Sequence, residues 1–157
     1  MRNGFNNTVQ MKKYLFVLIF ILCSIGARSQ SGGVGIGLIA GEPTGLSIKV
    51  WTGQRTAVDA GAAWALIRGG FIRFHADALV HSFAPQVDKG ELPLYFGVGG
   101  KVVLSDNLGA GIRIPLGIAY LFESAPIDIF LEVVPTLELL PATDIGFEGG
   151  IGARFFF

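Results

Sequence analysis

One cysteine, Cys23, in 157 residues leaves no disulfide framework and no multi-thiolate metal site to build. Charge is scarce as well. Asp, Glu, Lys and Arg make up 15% of the chain, and twelve basic residues balance twelve acidic ones. The chain therefore lacks the cationic excess with which a nucleic-acid binder meets phosphates. It also lacks the low hydrophobicity and high net charge of a disordered tail, since 51% of its residues are hydrophobic. No apolar run reaches the ~18 residues that mark a spanning helix, and none beyond residue 33 recurs at helical spacing. Also missing are a nucleophile elbow, a His-Glu-x-x-His pair and a phosphate loop. What is plentiful is glycine, at 23 positions, in a chain long enough for one domain.

The first residues read as an address. Met11-Lys12-Lys13 is followed by the apolar run Tyr14 to Leu22, and then by small residues up to Ala27-Arg28-Ser29. A basic start, a short apolar stretch and a small-x-small site make a secretory signal, with cleavage expected after Ser29. Residues 1–29 are accordingly an upstream extension plus a cleaved signal, and 30–157 a single domain. Cys23 follows Leu22 rather than a small residue, so it reads as the end of the apolar stretch and not as a lipidated cysteine. The remaining 128 residues carry eight basic and twelve acidic groups and no cysteine.

From residue 33 the pattern is period two, the mark of a strand with two unlike faces. Eight strands are expected, over 33–41, 44–51, 56–66, 71–82, 92–104, 108–121, 127–140 and 145–157, separated by turns rich in Gly, Pro, Asp and Asn. Eleven of the twenty charges fall inside these strands: Lys49, Asp59, Arg73, Asp77, Lys101, Arg113, Asp128, Glu132, Glu138, Glu148 and Arg154. Every one shares its parity with the glycines. The opposite parity is Ile, Leu, Val, Phe and Ala without a charge, and the other nine charges lie at turns.

Two closures use such alternation. A soluble lipocalin-like barrel holds an apolar ligand on an inward apolar face, and a transmembrane barrel turns that face to lipid. A water-facing surface made of glycine with one to three charges per strand is poor in Lys, Glu, Thr and Ser. As the lining of a narrow eight-stranded interior it fits, because glycine frees volume and eases curvature. The expected fold is all-β, an eight-stranded antiparallel up-and-down transmembrane barrel in a bacterial outer membrane, with no cofactor. Aromatic belts are expected at Trp51, Phe83, Tyr120, Phe122 and Phe155 to Phe157 on the periplasmic rim, and at Trp64, Phe71 and Phe147 on the other.

Three stretches carry a resemblance: Arg113-Ile-Pro-Leu-Gly-Ile-Ala-Tyr-Leu-Phe122, Ala125-Pro-Ile-Asp-Ile-Phe-Leu-Glu132-Val-Val-Pro135 and Gly149-Gly-Ile-Gly-Ala-Arg-Phe-Phe-Phe157. They are similar to a largely uncharacterised family of small eight-stranded outer-membrane barrels, of the size of the OmpX and OmpA membrane domains. The resemblance spans 33–157 and implies no activity. It does imply that Phe155 and Phe157, in the last strand, resemble the signal read by the outer-membrane assembly machinery.

The remaining constellations have bland explanations. Gly35-Ile-Gly37-Leu-Ile-Ala40 spells a dinucleotide fingerprint, but no helix follows it, so its glycines belong to packing. Arg73, His75, Asp77 and His81 share one face, where same-face neighbours stand ~7 Å apart, and ion pairing across the lumen explains them better than a metal site. Ser47 and Ser82 could point inward, with no base assigned to them. Five basic against six acidic inward charges suit a filled interior, because an unpaired buried charge costs several kcal/mol. The expected function is structural or interactive rather than catalytic, with outer-membrane lipid and the assembly machinery as partners. A lipid-modifying enzyme and a soluble ligand carrier are the alternatives.

Overall fold

Alternating faces become strand throughout a computed structural model that describes residues 33–42, 44–65, 70–82 and 84–157. The signal segment with its Ser29 site, Cys23, Arg68 and Phe83 lie outside the described residues. In chain order the strands are β1 (Val34–Glu42), β2 (Gly45–Trp51), β3 (Thr56–Ala65), β4 (Phe71–Ser82), β5 (Gln86–Val87), β6 (Gly90–Glu91), β7 (Leu94–Leu104), β8 (Leu108–Arg113), β9 (Leu116–Phe122), β10 (Ile127–Leu140) and β11 (Asp144–Phe156). Among the described residues there is no helix.

These strands form eight staves. β1 pairs antiparallel with β2 on one side and with β11 on the other, and this second pairing closes the barrel. The expected strand over 108–121 is split: Pro115 has no N–H to give, so β8 and β9 are two halves of one stave between β7 and β10. Its continuity is kept by carbonyls, Gly97 N–H donating to Pro115 O at 2.9 Å and Ile114 N–H to Pro135 O at 3.0 Å. The connection expected over 83–91 contains the small hairpin β5–β6, which docks on β9 through Gly90 opposite Phe122. A bulge between Glu138 and Leu140 breaks the register of β10 against β8.

Closure sorts the faces as the parity required. Lys49 and Asp128 are 0% exposed, whereas Leu38 is 65% and Phe147 71% exposed. The outside is a continuous apolar coat from Ile36 and Ile48 round to Leu131 and Ile151. The soluble-carrier alternative, an apolar interior under a polar coat, is therefore reversed.

Parity also corrects three details of the expected surface. Trp51 is not part of an outer belt; it shares the inward parity of Ser47 and Lys49, and its ring centroid lies 4.4 Å from that of His81. Phe71 likewise falls on the inward parity of β4, at its start. Ser82 faces outward, whereas Ser47 is buried inside.

Candidate functional site

Inside the barrel four bulky inward rings are each met across a strand pair by a glycine. Tyr95 lies opposite Gly117, Phe130 opposite Gly152, Phe156 opposite Gly35, and His75 opposite Gly61. A Cβ built on any of these four glycines would stand within 2.6 Å of the facing ring. The glycine parity is thus the space into which the neighbouring stave's side chain folds. Gly37, from the apparent dinucleotide motif, is equally constrained, because a Cβ there would meet the backbone carbonyl of Ala153.

Ten of the eleven inward charges form ion pairs, in two clusters. Nearer the end that carries the chain termini, Arg154 binds Asp59 and Asp128, its Nε lying 3.0 Å from Asp128 Oδ1. Its guanidinium also sits 3.9 Å over the Phe130 ring, and Nη1 reaches the Ser47 hydroxyl at 3.4 Å. The second cluster is built on Arg113, which contacts Asp77 at 3.1 Å, Glu148 at 2.7 Å and Glu132 at 3.5 Å. Glu148 also receives Arg73 and Lys101, and Lys101 reaches Glu138. The Tyr95 hydroxyl donates to Glu132 at 3.0 Å.

Lys49 is the inward charge without an ion pair among the described residues. Its Nζ lies 2.7 Å from His81 Nε2 and stands over the rings of Trp51 and Tyr95, at 4.6 and 5.2 Å from their centroids. The row Arg73, His75, Asp77 and His81 is consequently divided: Arg73 goes to Glu148, Asp77 to Arg113 and His81 to Lys49. No group of three His, Cys, Asp or Glu side chains with metal-holding geometry occurs among the described residues. Phe155 is on the outer face, edge-on to Phe157 at 5.1 Å, while Phe156 between them is buried inside.

Sequence reasoning overlooked Tyr95 and Phe130 and took Trp51 for a rim residue, although each carries the inward parity; His81 stands on its expected face, with Lys49 as a partner the sequence did not indicate. Tyr95 and Phe130 form an apolar cluster inside the barrel with Leu79, Ala57 and Ala119, and Trp51 packs against it.

The comparisons with known proteins agree with this geometry. A family pattern described as "Protein of unknown function (DUF3996)" matches residues 25–157. The chain belongs to that family. No curated protein matches it. Among solved structures it is similar to the N-terminal β-barrel domain of OprF from Pseudomonas aeruginosa, with a TM-score of 0.51 and 17% identity, over 79% of this chain and 95% of that one. The likeness shows the fold, an eight-stranded antiparallel barrel of the outer-membrane type.

Proposed function

We propose that this family member is an integral outer-membrane barrel with a structural or interaction role and no catalysis, its interior closed by ion pairs. The observation that carries this reading is the outer face. Ile36, Leu38, Ile48, Val58, Phe74, Val98, Ile112, Leu131 and Ile151 are all exposed, and every charge between the two rims is turned away from them. A monomer in water rarely exposes apolar patches beyond a few hundred Å², whereas hydrocarbon accepts such a surface once every backbone group is paired by closure. Residues 1–29 supply export, with cleavage near Ser29. The last strand with Phe155 and Phe157 offers the assembly machinery its signal. A lipid-modifying enzyme would need an apolar interior for an acyl chain, and Arg113, Glu132 and Glu148 occupy that volume.

Fractionation tests the reading. The mature chain should sediment with outer membranes, require detergent for extraction and run faster on gels unheated than boiled. A mature chain that stays monodisperse in plain buffer overturns it.

A further inference from the structure

At the barrel end opposite the chain termini, the β1–β2 hairpin stops short of β11. The last pairing between β1 and β11 is Glu42 opposite Gly149, whereas β11 begins at Asp144 and is paired with β10 from there. In an antiparallel ladder a residue turns its N–H and C=O to one side, and the next residue turns them to the other. Even residues of β11 turn to β10, since Phe156 N–H donates to Pro126 O at 2.8 Å, and odd ones turn to the β1 side, where Phe157 N–H donates to Val34 O at 3.0 Å. Ile145 and Phe147 are odd. Their backbone groups therefore point to the β1 side at a height where no strand is present among the described residues. Asp144 Oδ1 takes the Ile145 N–H at 2.9 Å, which leaves Phe147 N–H, Phe147 O and Ile145 O as an open edge.

Two demands meet on this edge. Hydrocarbon does not tolerate unpaired backbone groups, so this part of β11 stands beyond it. Yet Ile145 and Phe147, 72% and 71% exposed, are the most exposed large hydrophobic side chains among the described residues. Water meets the first demand and lipid the second. An added strand meets both, one with its backbone and the other with its side chains. The lumen side of the same segment asks for positive charge. Gly146 presents no side chain there, the Glu138 side chain across from Asp144 is 28% exposed, and the turns of this rim carry Glu42, Asp106 and Asp144 against one cation, Arg68. We infer that the open edge of β11 binds an extended segment of another protein in which a basic residue stands between two apolar ones. One apolar residue lies opposite Phe147 and exchanges two hydrogen bonds with it, and the other lies opposite Ile145. The basic residue falls opposite Gly146 and reaches toward Glu138 and Asp144. A second copy in the same membrane does not fit, because two such strands, each tilted by roughly 40° and related by a two-fold along the membrane normal, cross instead of pairing. This site makes the proposed interaction role specific and rests on that reading, but it fails separately, since fractionation does not sense the edge.

The test uses the full mature chain folded in maltoside micelles and a blocked, dye-labelled peptide, Ser-Val-Lys-Val-Ser, followed by fluorescence anisotropy. Binding should saturate and should protect the Phe147 amide from hydrogen exchange. Backbone N-methylation of either valine removes a proton aimed at β11 and should weaken binding about tenfold or more, whereas N-methylation of the lysine, whose N–H points away, should change it less than about threefold. Replacing the peptide's lysine by glutamate should weaken binding, as should Asp144→Asn, which keeps an acceptor for the Ile145 N–H. Phe147→Pro removes the edge donor at a position that gives β10 no hydrogen bond, and should abolish binding while gel mobility before boiling shows an intact barrel. Phe147→Ala keeps the donor and should retain part of the affinity. No saturable binding, a Phe147 amide already protected without peptide, or equal losses on methylating lysine and valine overturns the inference. So does a dimer that Phe147→Pro separates, because the occupant is then a second copy.

Discussion

At the scale of single residues, the interior charges differ in how many partners each one leaves behind. Among the described residues Arg154 is the only cation in ion-pair contact with Asp59 and Asp128, both buried. Arg154→Met strands two carboxylates and should cost about 3–5 kcal/mol, the range for breaking a buried pair from one side. Arg73→Met removes one of three cations on Glu148, which keeps Lys101 and Arg113 and so leaves no carboxylate stranded, and its cost should be well below that of Arg154→Met. Urea unfolding of the two variants in micelles measures the contrast, and equal losses would contradict the partner assignment. Packing has its own discriminating site. Gly117 faces the Tyr95 ring, and that ring is tethered through its hydroxyl to Glu132. Gly117→Leu therefore has nowhere to push the ring, and overpacking of about 1–3 kcal/mol is expected from the same unfolding midpoint.

At the scale of strands, the outer face should grade its tolerance of charge by height. Val98 stands mid-way along β7 and is 58% exposed, and Phe147 is near the turn that begins β11. Lysine on a lipid-facing barrel position costs about 2–4 kcal/mol at the bilayer midplane and ~0–1 kcal/mol near the interface. Val98→Lys should accordingly lower the unfolding midpoint in lipid vesicles far more than Phe147→Lys, and no difference would mean that this face does not meet hydrocarbon. Strand identity and facing were readable in the sequence because parity alone specifies them. Trp51 shows that parity was sufficient even where position near a strand end misled. The break at Pro115 was not readable, since alternation runs through it unbroken and what changes is a missing donor, not a face. The hairpin of β5 and β6 was hidden for another reason: two residues per strand carry no period. Nor could pairing inside the lumen be read. Parity says which side a charge occupies, whereas its height depends on the stagger of staves, which brings Arg154 of β11 to Asp59 of β3, ninety-five residues earlier.

At the scale of the whole molecule, the question is whether ions can pass. Eight staves leave an interior just wide enough to be filled by side chains, and here two kinds of filling interlock, Phe130 stacked under Arg154 and Tyr95 bonded to Glu132. The Arg113 and Arg154 clusters cross the lumen, joining staves that are not neighbours in the sheet. An apolar plug of Leu79, Tyr95, Phe130 and Trp51 packs with Ala57 and Ala119. An ion entering would have to displace both paired charges and the rings packed on them, so taking away either kind of filling leaves the other across the lumen. The protein in planar bilayers should give no steady current. Arg113→Ala alone should remain closed, because the plug is intact. Tyr95→Ala with Phe130→Ala should remain closed as well, because the charges still span the lumen. Only the triple variant should conduct, and a steady open state in either parent variant would show that the remaining kind of filling does not seal by itself.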